Sequence, residues 1–287
     1  MKRADWQLLL VAMIWGGGFV AGKAALGAMS PQGVLFFRFA ASMLAVGLIF
    51  RRQVRGCGRA CVLWGLLLGL LQYGGLFLQL FALQYTTPAK QSFLAATYVL
   101  FTPFIAWALL YRRPRRRDYL AAVLTIIGIG LLSLQPGQPV QIGDFITLGF
   151  SVLFSVQLVL TGRLTQTHSA MALTFYQLAG STVLSGCVVL VTGFSFAAPD
   201  AVSIGALAYL SLINTAAALC IQNHAQKRTS ASRAALLLSL ESVFGLLFSL
   251  LFYHDAVTMP MLLGCALIGA ALVISNRAPK PAQTQTP

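Results

Sequence analysis

Apolar runs of about twenty residues, each closed by a short polar or turn-forming stretch, fill nearly the whole chain. They fall at 6–26, 32–50, 62–84, 88–111, 119–135, 144–162, 170–193, 203–223, 231–252 and 259–276. At a rise of about 1.5 Å per residue, runs of this length match the roughly 30 Å hydrocarbon core of a bilayer. The pattern therefore predicts an all-α integral membrane protein with ten transmembrane helices. Proline and glycine stand where helices would start or stop: Ser30-Pro31, Thr87-Pro88, Gln135-Pro136-Gly137, Pro199-Asp200 and Met259-Pro260. Ten spans use about 200 of the 287 residues, so the loops are short and no soluble domain fits. Met1-Lys2-Arg3 leads into the first run with no clear small-x-small cleavage site and reads as a retained first span. The polar, proline-rich tail 277–287 is expected to be disordered.

Composition agrees. Hydrophobic residues make up 58% of the chain and charged ones 9%, with a mean hydropathy of +0.80, against roughly 25% charged in a soluble domain. That excludes a water-soluble globule. The formal charge of +14 and pI near 10.2 would point a soluble protein toward nucleic acid, but the positions of the charges argue otherwise. With the N-terminus in the cytoplasm, 17 of the 20 basic residues fall on inner segments: Lys2, Arg3, Arg51, Arg52, Arg55, Arg59, Arg112, Arg113, Arg115, Arg116, Arg117, Arg163, Lys227, Arg228, Arg233, Arg277 and Lys280. The outer loops near 28, 86, 138, 197 and 256 hold none, because Lys23, Arg38 and Lys90 lie within or at the ends of spans. This asymmetry sets both termini inside. It also accounts for the pI, since basic loops meet anionic lipid headgroups at the cytoplasmic face of the cell inner (plasma) membrane and need no nucleic acid. The five cysteines, Cys57, Cys61, Cys187, Cys220 and Cys265, are odd in number and form no CxxC pair. They read as reduced thiols, outside any metal or disulfide framework.

Two stretches of the chain align with each other at nearly constant offset. Leu78 to Lys90 matches Ile221 to Arg233 at 143 residues, and Phe36 to Ser42 matches Phe175 to Ser181 at 139. The first match joins the end of span 3 and start of span 4 to the end of span 8 and start of span 9. The chain thus reads as five spans used twice, divided as 1–140 and 141–276. Because five is odd, the second copy enters the membrane from the opposite side, an inverted repeat.

The chain resembles, over nearly its whole length, a ten-helix EamA-type member of the drug/metabolite transporter superfamily. The residues that carry the resemblance are Trp15-Gly16-Gly17-Gly18-Phe19, Arg38-Phe39, the openings Thr86 to Ala96 and Thr229 to Leu240, Leu240-Glu241-Ser242-Val243-Phe244, Ile127-Gly128-Ile129-Gly130 and Leu267-Ile268-Gly269-Ala270. It departs from the family's common pattern at Tyr111-Arg112 and His254-Asp255, where a Gly-Glu pair often closes spans 4 and 9, and at Ser242, where a proline often follows the glutamate. The resemblance implies two EamA-like five-helix repeats, 1–140 and 141–276. It also implies a secondary transporter, an exporter of small amino-acid-like or amphipathic metabolites, working by alternating access. A passive facilitator of the same fold stays open, as does coupling to protons. A homodimer is compatible with all of this. A non-transporting subunit or an intramembrane enzyme would show a large docking loop or a nucleophile-base cluster, and the sequence has neither, nor a Walker loop, a metal-ligand cluster or a cofactor motif.

A polar side chain at membrane depth is a candidate for function unless it faces a neighbouring helix. Glu241 lies about ten residues into span 9, the only acidic residue deep within a span, with Gly245 and Ser249 on the same helical face. Taken out of water there, a carboxylate suits proton coupling or a cationic group, or it serves as a structural hydrogen-bonding carboxyl. Tyr98 is its counterpart in the first repeat, on a stripe with Gln91, Ala95 and Thr102. Arg38, about 10 Å inside the outer end of span 2, can hold a substrate carboxylate or an acidic neighbour, and Gln177 takes its place in the second repeat. In span 3, Gln72, Gly75 and Gln79 recur on one face, and Gln222 is the repeat partner of Gln79, so paired amides can line a central site or bond helices together. Trp15 beside Gly16-Gly17-Gly18 can stack on a substrate or mark close packing. Gln157 is a further candidate. Lys23 and Lys90 sit at outer span ends, where they can snorkel to headgroups, and Lys90 can also border the pathway.

Overall fold

The computed structural model describes residues 3–111, 116–133, 140–193, 195, 200–253 and 258–276. The chain runs as helices α1 Arg3–Leu26, α2 Pro31–Ile49, α3 Arg51–Arg55, α4 Arg59–Ala82, α5 Pro88–Ala95, α6 Tyr98–Leu110, α7 Arg116–Ser133, α8 Ile142–Leu164, α9 Ala170–Thr192 and α10 Ala201–Ala208. A π-helical segment, Tyr209–Ala217, follows, and then α11 Ala218–Gln226, α12 Ala231–Leu238, α13 Glu241–Tyr253 and α14 Met259–Asn276. Eight segments are long and apolar enough to cross a bilayer: α1, α2, α4, Pro88–Leu110, α8, α9, Ala201–Gln226 and Ala231–Tyr253. Helices α7 and α14 pack on each other beside these. The tail 277–287, the basic residues Lys2, Arg112, Arg113, Arg115, Arg277 and Lys280, the breaks at Gln135-Pro136-Gly137 and Pro199, and the pair His254-Asp255 lie outside the described residues.

Beside an apolar core, large apolar side chains cover the outside of the bundle and many small polar ones are buried within it. Leu48, Leu190 and Val191 are 77%, 86% and 86% exposed, whereas Thr102, Thr147, Ser151, Ser155, Gln177 and Ser181 are wholly buried. Their hydroxyls are satisfied within the bundle: Thr102, Thr147 and Ser181 donate to the carbonyls of Tyr98, Gly143 and Gln177 four residues back. Lipid on the outside and hydroxyls on the inside is the arrangement expected when helices associate through small and polar residues.

Helices α4 and α9 cross where Gly69 meets Gly180. A Cβ on Gly69 would come 2.4 Å from the Gln177 carbonyl oxygen and 3.0 Å from the Gly180 Cα, and Ser181 donates to the Gly69 carbonyl at 2.9 Å. Backbone rather than side chain would have to move to admit a larger residue. Gly69→Leu is therefore expected to destabilise the fold by about 3 kcal/mol, read as a lowered melting temperature in detergent; an unchanged midpoint would contradict this packing.

Spans 4 and 9, read from the sequence as continuous helices, are each broken in two. The break lies at Ala96-Thr97 between α5 and α6 and at Ser239-Leu240 between α12 and α13, positions 143 residues apart. Neither break holds a proline or glycine. The turns tighten instead to i→i−3 bonds, Thr97 N–H to Leu94 O and Leu100 N–H to Thr97 O in one, Ser242 N–H to Ser239 O and Val243 N–H to Leu240 O in the other. Hydroxyls from a neighbouring helix take up freed carbonyls: on α8, Ser151 donates to Leu94 and Ala95, and Ser155 to Tyr98. Ser92 donates to Ser242 at the second break. Such outside partners make an interrupted helix tolerable at membrane depth.

Span 8, expected as an ordinary helix, contains the π segment. There the Ala218 N–H reaches Ile213 O, five residues back, rather than Asn214 O. The Asn214 carbonyl accepts instead from the Trp15 indole at 3.0 Å. The glycine run of α1 is what lets it lie so close. A Cβ on Gly16, Gly17 or Gly18 would meet Phe244 Cβ, the Tyr209 hydroxyl or the Asn214 side chain at 2.5, 2.6 and 2.4 Å. These glycines are thus places of close packing in this structure.

Candidate functional site

The helices alternate in direction, so the bundle has two ends. One carries Arg3, the Arg51 to Arg59 connection, Arg163, Lys227, Arg228 and Arg233; the other carries Leu26, Pro31, Ala82, Pro88 and Ile142. A cavity runs from mid-height toward the second end and encloses about 740 Å³ of non-atom space, its open mouth included. It forms where the two broken spans, the π segment and the glycine-rich faces of α1 and α4 leave room between them.

One wall is apolar and aromatic. The Trp15 and Phe154 rings meet edge to face at 5.5 Å, Phe150 stacks on Phe154 at 5.6 Å, and Leu76, Leu80 and Leu83 continue the surface. The other wall is polar. Arg38 comes from α2, Gln72 and Gln79 from α4, Gln91 from α5, Gln157 from α8, Asn214 and Thr215 from the π segment, and Glu241 from the first turn of α13.

Arg38 is 6% exposed. It donates from Nε to the Thr215 hydroxyl at 2.5 Å and from an Nη to the Asn214 side-chain oxygen at 2.7 Å, while Asn214 in turn donates to Ile14 O. These neutral partners orient the guanidinium and leave its charge uncompensated: among the described residues, no carboxylate makes an ion pair with it. Glu241 is 4% exposed and likewise forms no ion pair among those residues. The wholly buried Tyr98 hydroxyl lies beside the Glu241 carboxylate without completing a hydrogen bond, and the Tyr98 ring packs edge to face on Phe154 at 4.7 Å. The two counterpart positions of the breaks therefore meet. Gln91 presents a buried, unpartnered side-chain oxygen at the cavity wall while its amide nitrogen is fixed by Gln79 O at 2.6 Å.

Of the residues singled out in the sequence, Glu241, Arg38, Gln72, Gln79, Gln91, Gln157 and Trp15 line the cavity, and Tyr98 backs it. Gln177 stands behind, donating to the Gln72 side-chain oxygen at 2.9 Å beside the Gln157 amide at 2.7 Å. Gln222 is not brought to Gln79; it donates to Gln226 at 2.9 Å, and Gln226 holds Leu158 O. Nor do Lys90 and Lys23 reach outward. Lys90 forms a buried ion pair with Asp144 at 2.7 Å, and Lys23 donates to the carbonyl of Leu83 just beyond α4. A carboxylate and an unsatisfied helix-end carbonyl within reach are better partners for these ammonium groups than a route to the headgroups.

Asn214, Thr215, Phe150 and Phe154 were not singled out in the sequence. A signal was present, because the offsets of the two aligned blocks map Trp15 onto Phe154 at 139 and Gln72 onto Thr215 at 143. The structure shows what that mapping means: Arg38 bonds to Thr215 as its counterpart Gln177 bonds to Gln72. Each repeat's second span is tied to the other repeat's third.

The sequence matches the model of the EamA-like transporter family twice, at residues 2–134 and 141–277. It is 30% identical over 275 residues to an uncharacterized transporter of Archaeoglobus fulgidus, covering 94% of this chain and 85% of that one. A second uncharacterized transporter of the same organism is 26% identical over 254 residues, with 84% and 86% covered. A solved crystal structure at 18% identity superimposes with a TM-score of 0.72 over 95% of this chain and 96% of its own, a likeness of fold.

Proposed function

We propose that this chain, which belongs to the EamA-like transporter family, is a proton-coupled secondary exporter of small amphipathic zwitterions, amino-acid-like in chemistry, working by alternating access. In this reading ten spans form two inverted five-helix repeats, 1–140 and 141–276, with both termini in the cytoplasm and the arginine-rich end of the bundle at the cytoplasmic face of the inner membrane. The cavity then faces the outer half of the bilayer.

The observation that carries the proposal is that one cavity is lined both by Arg38, oriented only by neutral groups, and by Glu241, with an aromatic wall beside them. A charge held at membrane depth calls for a counter-charge. A solute carboxylate supplies it at Arg38, whose planar fork has donors to spare. A solute ammonium or a proton supplies it at Glu241. The amides of Gln72, Gln79, Gln91 and Gln157 offer both donors and acceptors to the polar backbone of such a solute, and Trp15 and Phe154 offer a surface to its apolar part.

The test uses purified protein in liposomes loaded with a mixed pool of amino acids, purines, sugars and cationic drugs, with release followed by mass spectrometry. Zwitterion release accelerated by an imposed pH gradient is the expected result. Release of one class regardless of the gradient would replace coupling by passive facilitation, and no release at all would remove the transport reading.

A further inference from the structure

Two ion pairs among the described residues stand at opposite ends of the bundle. At the arginine-rich end, Arg233 on α12 donates to both carboxylate oxygens of Asp5 on α1, from Nε at 3.0 Å and from an Nη at 2.8 Å. At the other end, Lys90 on α5 holds Asp144 on α8 at 2.7 Å. The offsets of the two aligned blocks relate them: 90 plus 143 is 233, and 5 plus 139 is 144. Each pair joins the outermost turn of one repeat's broken span to the first turn of the other repeat's first helix. They are one contact, used twice and inverted.

The half-helices that carry the basic residues, α5 and α12, end at the two breaks, and the residue beginning the next half-helix is Tyr98 in one and Glu241 in the other. A half-helix pinned at its outer end by an ion pair and cut at its inner end is a rigid lever whose far end lies at the cavity. We infer that Lys90–Asp144 and Asp5–Arg233 are alternating latches: release of one opens the cavity to that end of the bundle while the other stays shut. In this structure both ion pairs are formed, and the cavity's mouth toward the Lys90–Asp144 end is the opening that release of that pair would widen. The inference rests on the alternating-access reading of the preceding subsection and adds to it the residues that gate each side.

The two latches are unequal. Lys90 and Asp144 side chains are 6% and 5% exposed, whereas Arg233 is 43% exposed against an Asp5 side chain at 1%. Loss of one partner from a buried pair strands the other charge, so the Lys90–Asp144 latch is the costlier to break. A half-exposed pair is screened by water and opens more readily.

The test reads accessibility rather than flux. In a background with Cys57, Cys61, Cys187, Cys220 and Cys265 replaced, Gln79→Cys places a reporter thiol on the cavity wall, and a membrane-impermeant maleimide is applied to vesicles of each orientation. Arg233→Gln is expected to raise labelling from the arginine-rich side relative to the other by about fivefold or more, and Lys90→Gln to shift the ratio in the opposite sense by a larger factor. The charge swaps Asp5→Arg with Arg233→Asp, and Lys90→Asp with Asp144→Lys, are expected to restore the starting ratio. The double variant Lys90→Gln with Asp144→Asn keeps the test decisive if the single variant fails to fold, since it leaves no stranded charge and is expected to shift the ratio the same way. A reporter labelled from both sides, with a ratio that no variant moves or that both single variants move alike, overturns the latches and leaves the transport reading standing. A reporter labelled from one side only in every variant overturns both.

Discussion

Glu241→Gln is expected to abolish the acceleration of transport by a pH gradient, lowering proton-driven flux by about a hundredfold or more. The substitution keeps the volume and one oxygen acceptor of the side chain, so the neighbouring Gly245, whose Cβ position lies 2.5 Å from Ser92 Cβ, and the α5–α13 contact are undisturbed. What it removes is the ability to exchange a proton. Glu241 is suited to that exchange by position: it opens α13 immediately after the break at Ser239-Leu240, lines the cavity, and lies beside the buried Tyr98 hydroxyl. Solute counterflow without a gradient, measured in the same liposomes, is expected to persist, because the exchange of bound solute needs no net proton movement. Glu241→Asp is expected to retain part of the coupled flux. Wild-type acceleration by the gradient in Glu241→Gln would assign the carboxylate a packing role.

Arg38→Gln is expected to weaken the binding of solutes that carry a carboxylate by about a hundredfold, with little change for solutes that lack one. The variant installs the residue that the second repeat already has at Gln177, so the local helix surface is one the fold accommodates. It removes the guanidinium that, alone among the described residues, lines the cavity, and with it the charge that Thr215 and Asn214 orient. Arg38→Lys is expected not to rescue, since a single ammonium cannot reach both of those partners and also offer a planar pair of donors. The measurement is competition between carboxylate-bearing solutes and their amide derivatives for release from liposomes. Equal competition in wild type and variant would place the carboxylate elsewhere.

Much of this site was legible in the sequence because membrane depth makes polar residues conspicuous. Arg38, Glu241, Gln79, Gln157 and Trp15 each stood out against an apolar run, and each lines the cavity. Asn214 and Thr215 also interrupt an apolar run, but nothing local marks them as part of a site. Their importance comes from partners 176 and 177 residues away in Arg38, and no local window contains both. Gln222 shows the converse. Its offset from Gln79 is right, but the turn of α11 gives it Gln226 as a neighbour at i+4, and that bond occupies its amide nitrogen.

The order and length of the long apolar helices, the concentration of arginine on alternate connections and the twofold use of the same pattern were determined by the sequence, because hydropathy and charge act residue by residue along a helix. The tertiary structure alone decided where those helices yield. Spans 4 and 9 break without proline or glycine, and the first of these breaks is held open by Ser151 and Ser155 on α8, which capture carbonyls at Leu94, Ala95 and Tyr98 from more than fifty residues away. Span 8 loosens into a π turn because the Trp15 indole N–H is there to donate to the Asn214 carbonyl, across glycines that let α1 approach. A backbone group in a membrane leaves its own helix only when another segment offers it a hydrogen bond, and which segment does so is fixed by packing rather than by any local pattern.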